Sequence, residues 1–420
     1  MLLKTKPTNL NNHQKCCFKM NFLKLEDMEL EGKRVLVRVD FNVPIKGGMV
    51  EDDTRLKATV PTINFLLEKN CKIILMSHLG RPAKLLKKGK SFEEIKKELT
   101  LKPVAEDLSD ILGVDVTFAE NSIGLDEVNT NIPEGDVVLL ENVQFNKGET
   151  TNEDKYAKKL AALGDIYVND GFGQSHREYA TFCAITKFLP SCAGLLVEKE
   201  VKQLTKLLNP EKPFAAIVAG AKADKIGALK FLANKADKIL IAGVLANTFL
   251  KAKGVDIGTS KFDEETFNAA KEIINLAGDK LKFPVDWVAA DKFESDANTQ
   301  IVPVGKIPKG WMALDIGPET IKNFEEELKD AKTVFWAGPL GVFEMKKFSN
   351  GTKEIGQFLG SLGVTIIAGG GDTGAAISNF GLGDKLTHVS TGGGASLEFM
   401  ETEGKLPGLV ALEKAYVKEQ

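Results

Sequence analysis

The chain has 420 residues, 43% hydrophobic and 27% charged, a globular balance with length for two or three domains. A formal net charge of -3 excludes a global basic field of the kind that draws proteins to nucleic acid, so an anionic ligand must be held by a local cluster. No apolar run approaches the ~20 residues that span a bilayer, so no membrane partner is expected.

Residues 1–19 stand apart, carrying Lys4, Lys6, Lys15 and Lys19 and no acid. Lacking arginine and a long apolar core, they resemble neither a secretory nor a mitochondrial signal. A disordered extension, with translation starting at Met20, is the expectation; a targeting segment is the alternative. The five cysteines (Cys16, Cys17, Cys71, Cys183, Cys192) form no C-x-x-C pair, and their odd count speaks for free thiols in a reducing compartment.

From Met20 onward, strand, loop and helix alternate. Apolar, β-branched runs fall at 34–39, 72–77, 136–141 and 165–170, and again at 214–220, 238–243, 333–338 and 364–369. Near-continuous apolar strands separated by helices predict parallel sheets covered on both faces. The charge run 84–90 reads as a solvated loop. Residues 151–163 predict a helix, with Thr151 and Asp154 as an approximate capping box, Tyr156, Leu160 and Leu163 on one face, and Gly164 closing the end. Between the two sets, Val197, Val201, Leu204 and Leu208 share a helical stripe that Asn209-Pro210 terminates. That stripe predicts a helix bridging two doubly wound domains, or else a surface helix of one larger domain.

Ligands of open α/β sheets bind beyond the carboxyl ends of the strands. In the first half those ends carry Arg38, Asp40 and Asn42, then His78 and Arg81, then Asp170, His176 and Arg177, with Arg55 following the first strand. Arginine forks bind carboxylate and phosphate, so this half reads as a pocket for a small phosphorylated acid. In the second half the strands end in glycine, at 219–227, 242–249, 337–344, 369–374 and 390–396. Glycine loops and helix N-termini cradle oxyanions. Lys222 and Lys225 add point charges there, and Asp372 stands where a carboxylate can hold Mg²⁺ on nucleotide phosphates.

Gly369, Gly371 and Gly374 match the dinucleotide pattern G-x-G-x-x-G. That reading also requires an acid about 20 residues on, where this chain has Ser390 to Ser396 and no carboxylate. A mononucleotide with Mg²⁺ fits better, and the absence of G-x-x-x-x-G-K-[ST] rules out a P-loop.

The stretches "RVDFNVP", "SHLGRP", "GPLGVFE", "GGGDT" and "STGGGASLEFME", with "GKLPG" beyond them, resemble phosphoglycerate kinases, in order, from about Met20 to the C-terminus. The resemblance implies two Rossmann-like domains joined by a helix. Its boundaries here would be 1–19 (extension), 20–190 (phosphoglycerate-binding), 191–209 (interdomain helix), 210–398 (nucleotide-binding) and 399–420 (a segment returning to the first domain). It implies a cytoplasmic, monomeric phosphotransferase that exchanges a phosphoryl group between 1,3-bisphosphoglycerate and MgADP, giving 3-phosphoglycerate and ATP. By motif, Asp40, Asn42, Arg55, His78, Arg81, His176 and Arg177 would surround the phosphoglycerate. Arg55 and Lys222, with the amides of Gly393 and Gly394, would stabilise the moving phosphoryl. Lys225, Gly341, Val342, Glu344, Gly371, Asp372 and Thr373 would hold the nucleotide, with Asp372 as the metal ligand. Chemistry of this kind needs positioning and charge stabilisation rather than a covalent nucleophile.

Four departures accompany the resemblance. Gln144 stands where the family pattern "ENxRF" has arginine, and Ala337 where "WNGP" has asparagine. "GAKADKIG" is one residue short between its lysines, leaving the carry-over of Lys225 open, and "AGVLA" is poorer in glycine, leaving the role of Gly243 open. They motivate an alternative: a binding or regulatory paralogue with impaired turnover. The glycine pattern alone motivates a remote one, an NAD-dependent dehydrogenase.

Overall fold

A computed structural model describes residues 21–123, 135–220 and 225–419. Residues 1–19, with Cys16 and Cys17, and Lys222 lie outside them.

The first half builds a seven-stranded sheet in the order β1-β9-β8-β2-β5-β7-β6, every pair parallel. Its strands are β1 (Leu23–Lys24), β2 (Arg34–Arg38), β5 (Lys72–Met76), β6 (Val116–Ala119), β7 (Val137–Leu140), β8 (Ile166–Asn169) and β9 (Ser191–Ala193). A small hairpin, β3 (Ile45–Lys46) and β4 (Met49–Val50), follows β2. The second half builds a six-stranded parallel sheet, β12-β11-β10-β16-β17-β18. These strands are β10 (Phe214–Val218), β11 (Lys238–Ile241), β12 (Leu281–Lys282), β16 (Thr333–Ala337), β17 (Thr365–Gly369) and β18 (His388–Val389). All eight apolar runs are strands, and their central residues are buried, as sheets covered on both faces require.

Sequence patterning did not anticipate a third sheet. Strands β13 (Asp286–Ala290), β14 (Thr299–Pro303) and β15 (Met312–Ile316) form an antiparallel unit, with β14 at an exposed edge.

In each parallel sheet the strand order reverses beside the first long strand: β2 sits between β8 and β5, and β10 between β11 and β16. These switch points open crevices at the carboxyl ends of the strands.

Helix α1 (Thr54–Leu67) carries Arg55 in its first turn. Helix α2 (Leu195–Leu208) buries Val197, Val201, Leu204 and Leu208, and it ends at Asn209 as the pattern indicates. Its start lies later than residue 191, because Ser191–Ala193 pairs into the first sheet as β9. Helices α3 (Asn350–Ser361), α4 (Gly371–Asn379), α5 (Gly394–Glu401) and α6 (Pro407–Glu419) complete the elements that matter below. The 398/399 boundary falls inside α5. Beyond it, α6 packs on β9 and β1, and the Gly408 amide donates to Ser175 O at 2.8 Å.

Two local expectations need correction. The helix expected over 151–163 covers Asp154–Ala161, and Thr151 does not cap it. The Thr151 hydroxyl instead donates to Lys147 O at 3.1 Å, serving the preceding short helix. Tyr156, Leu160 and Leu163 are buried as expected. The charge run at 84–90 is not wholly a loop: Pro82–Lys87 is helical, with proline at its first turn, although the lysines are exposed.

Candidate active site

At the carboxyl edge of the first sheet, Arg55 Nη1 lies 2.5 Å from Asp40 Oδ2, joining α1 to the end of β2. His78, beyond the end of β5, has Nδ1 3.9 Å from Asp40 Oδ1. Burial opposes ionisation of Asp40, but Arg55, with His78 and Arg38, outweighs it and holds the carboxyl below its ordinary range. Burial also pushes His78 down to about 3, resisted by Asp40 and reinforced by Arg38, Arg55 and Arg81. With His78 neutral at pH 7, the guanidiniums carry the effect on Asp40.

The other first-half residues take more varied places. Asn42 Oδ1 accepts from the Gly80 amide at 2.8 Å, pinning the loop that follows β5. Arg81 flanks the Pro82–Lys87 helix and is exposed. The Val143 amide donates to Ser77 O, which sets Gln144 close to the strand end bearing His78. His176 keeps a buried Nδ1 without a hydrogen-bond partner, and burial, with Arg177, pushes it down to about 4. Arg177 is exposed, and its charge reaches Glu398 on α5.

Beyond the second sheet lies a cavity of about 540 Å³, lined by Gly243, Val244, Leu314, Gly341, Val342, Glu344 and Asp372 among others. Its floor depends on close backbone approach. A Cβ on Gly338, where φ is +99°, would sit 2.1 Å from Ala219 O; one on Gly243, at φ +62°, would sit 2.9 Å from the Gly220 amide nitrogen. Lys225 is buried, and its Nζ donates to Ala219 O and Ala337 O, tying β10 to β16. Thr373 is also buried: its hydroxyl accepts from the Gly338 amide at 2.7 Å and donates to Gly369 O at 2.8 Å. Both residues therefore hold loops together at this site.

Gly371 begins α4, and Gly393, at φ +53°, immediately precedes α5, which Gly394 begins. An ideal Cβ on Gly393 would lie 3.9 Å from the Gly371 amide nitrogen, so the two glycine loops adjoin. A second cavity, of about 850 Å³, sets Arg55 from the first half against Gly370, Gly371 and Thr391 from the second. Among the described residues no group of three His, Cys, Asp or Glu can hold a metal ion. The single carboxylate of Asp372 suits a cation that arrives on nucleotide phosphates.

Several buried polar residues here were not singled out from the sequence. Asp315 lines the nucleotide-sized cavity and accepts from the Gly351 amide at 2.8 Å, capping α3; burial pushes it up to about 7. Glu149 and Glu200 lie fully buried beneath the first half and along α2. No periodic signal distinguishes such residues from surface charges.

Two doubly wound sheets, an arginine-bearing edge on one and glycine-cradled helix N-termini on the other, are the frame of a phosphotransferase. A model of phosphoglycerate kinase matches residues 25–403. The chain belongs to the phosphoglycerate kinase family. It is 48% identical over 404 residues to the phosphoglycerate kinase of Thermosipho africanus, covering 94% of this chain and 98% of that protein. With the enzyme of Latilactobacillus sakei it shares 50% over 402 residues, covering 91% and 97%. The phosphoglycerate kinase structure from Pyrococcus horikoshii superposes with a TM-score of 0.83 at 30% identity, covering 94% of this chain and 99% of that one. For the Coxiella burnetii structure the TM-score is 0.80 at 38% identity, with the same coverage.

Proposed function

We infer that this chain catalyses reversible phosphoryl transfer between 1,3-bisphosphoglycerate and MgADP, giving 3-phosphoglycerate and ATP. The observation that carries the reading is the facing of Arg55 against Gly370, Gly371 and Thr391 across one cavity. In-line transfer needs acceptor and donor held at opposite ends of such a space.

In this reading Asp40, held ionised, fixes Arg55 so that its guanidinium meets the negative charge of the moving phosphoryl. His78, Arg81, His176 and Arg177, with Asn42 and Gln144, orient the phosphoglycerate. The nucleotide occupies the 540 Å³ cavity, with Glu344 on its ribose and Gly341 and Val342 along the base. Asp372 holds the Mg²⁺ that accompanies the phosphates, which supplies charge neutralisation. The N-termini of α4 and α5, at Gly371, Gly393 and Gly394, offer amides to phosphoryl oxygens. Lys222 adds charge from the nucleotide side, and Lys225 and Thr373 set the loops that form its floor. Closure of the halves about α2 excludes water from the transfer. The enzyme acts as a cytoplasmic monomer.

Titration calorimetry tests the two-ligand reading. MgADP and 3-phosphoglycerate each bind at one site, and a nicotinamide dinucleotide does not bind. Tight dinucleotide binding without MgADP binding would replace this function with a dehydrogenase.

A further inference from the structure

Among the described residues Arg38 is the largest charged side chain fully removed from solvent, and the phosphoryl-transfer reading assigns it no contact with a ligand. Its Nε donates to Thr181 Oγ1 at 2.7 Å, and its Nη1 donates to the carbonyls of Val39 and Met76. Its guanidinium lies 4.6 Å over the Phe182 ring. Thr181 passes the network on, donating from Oγ1 to Glu149 Oε1 at 2.6 Å and from its amide to Oε2 at 3.0 Å. Glu149 therefore supplies the buried counter-charge, with Oε1 3.9 Å from Nη2.

The remaining nitrogen, Nη2, stands 3.4 Å from His78 Nδ1. Guanidinium nitrogens only donate and do not deprotonate in proteins, so the atom facing Nη2 must be an acceptor. Asp40 Oδ1, 3.9 Å from the same ring nitrogen, would favour the opposite arrangement. That distance is beyond hydrogen-bond reach, whereas Nη2 at 3.4 Å is the nearer polar atom. Burial keeps the imidazole neutral, with one proton to place.

We propose that Arg38 is a positioning residue that fixes His78 in the Nε2–H tautomer, making it a hydrogen-bond donor to the anionic substrate. The substrate half of this statement rests on the phosphoglycerate reading above. An imidazole in the other tautomer would turn a lone pair toward a carboxylate or phosphate, so the tautomer decides whether His78 attracts or repels it.

The test is a long-range proton–nitrogen correlation spectrum of the ligand-free, nitrogen-labelled full chain, with His78 assigned by its loss in His78→Gln. A neutral ring protonated at Nε2 is expected near neutral pH. A ring protonated at Nδ1, or an imidazolium, overturns the proposal. The double variant Arg38→Met/Glu149→Gln removes both buried charges together, so neither is left uncompensated. In it the His78 tautomers mix, and 3-phosphoglycerate binds about tenfold more weakly by calorimetry while MgADP is unaffected. An unchanged tautomer, or equal weakening of both ligands, overturns the proposal. Should the double variant not fold, the wild-type spectrum decides. The two readings fail separately: wild type that binds no 3-phosphoglycerate removes the donor role by removing the substrate, whereas a wrong tautomer with intact substrate binding removes only the role of Arg38.

Discussion

Glu200 Oε2 on α2 lies 2.8 Å from His388 Nε2 at the start of β18, and both side chains are buried. The other oxygen, Oε1, accepts from the Thr391 amide at 2.8 Å and its hydroxyl at 3.0 Å. One carboxylate thus ties the helix between the sheets to the loop that leads into α5. Glu200→Gln keeps the shape and removes the charge, so one of these bonds is lost or weakened. We expect about 1.5–3 kcal/mol of lost stability by urea unfolding, together with a lower kcat. An unchanged unfolding midpoint would show that the contact does not hold the loop.

Gln144, which the resemblance sets where its pattern has arginine, follows Val143, whose amide donates to Ser77 O beside His78. A restored guanidinium adds a charge-assisted contact worth about 1.5–3 kcal/mol. Gln144→Arg is therefore expected to lower KM for 3-phosphoglycerate about tenfold or more, with KM for nucleotide unchanged. If KM for 3-phosphoglycerate stays the same, the neutral amide already satisfies the substrate, or residue 144 does not meet it.

Asp372 lines the nucleotide-sized cavity in the first turn of α4. Asp372→Ala is expected to weaken MgADP binding by about tenfold or more while leaving 3-phosphoglycerate binding nearly intact. Calorimetry with each ligand checks this, and equal loss of both would remove the residue from the nucleotide side.

Asp170 closes the end of β8 and accepts from the amides of Leu196 and Val197 at the start of α2, while its Oδ2 is buried without a partner. Burial pushes this carboxyl from 3.8 up to about 7, against the hydrogen bonds from Thr62, Val197 and Leu196. The folded chain thus keeps a proton that the unfolded chain has released. The contribution of the group is fully present below about pH 4 and is lost as pH rises to about 7, at about 1.4 kcal/mol per unit. Asp170→Asn cannot ionise, so its stability relative to wild type should rise across that window and level off above it. Urea unfolding at about pH 5 and about pH 8 measures the difference; a gap independent of pH would contradict the burial argument.

Eight parallel strands were legible because buried strands read as apolar runs, and α2 because its stripe is helical and Pro210 stops it. The antiparallel unit was not: strand β14, "TQIVP", is an exposed edge with one buried residue, and short edge strands carry no clear period. Capping at Thr151 failed for a local reason: its hydroxyl donates four residues back to Lys147 O, in the preceding short helix. At the site, motif order was legible and contact was not. Lys225 Nζ donates to Ala219 O and Ala337 O, and the Thr373 hydroxyl accepts from the Gly338 amide, contacts between loops that no motif reveals. Arg38, Glu149 and Glu200 gain their meaning only from partners 40, 32 and 188 residues away.

Turnover across two half-sites is tested by a coupled assay of ATP formation from 1,3-bisphosphoglycerate and MgADP. ATP formation is expected to need both substrates and to fall by about 10³-fold or more in Arg55→Ala, whose fold and MgADP binding are intact. Folded wild-type protein that forms no ATP, or an Arg55→Ala variant as active as wild type, would contradict it.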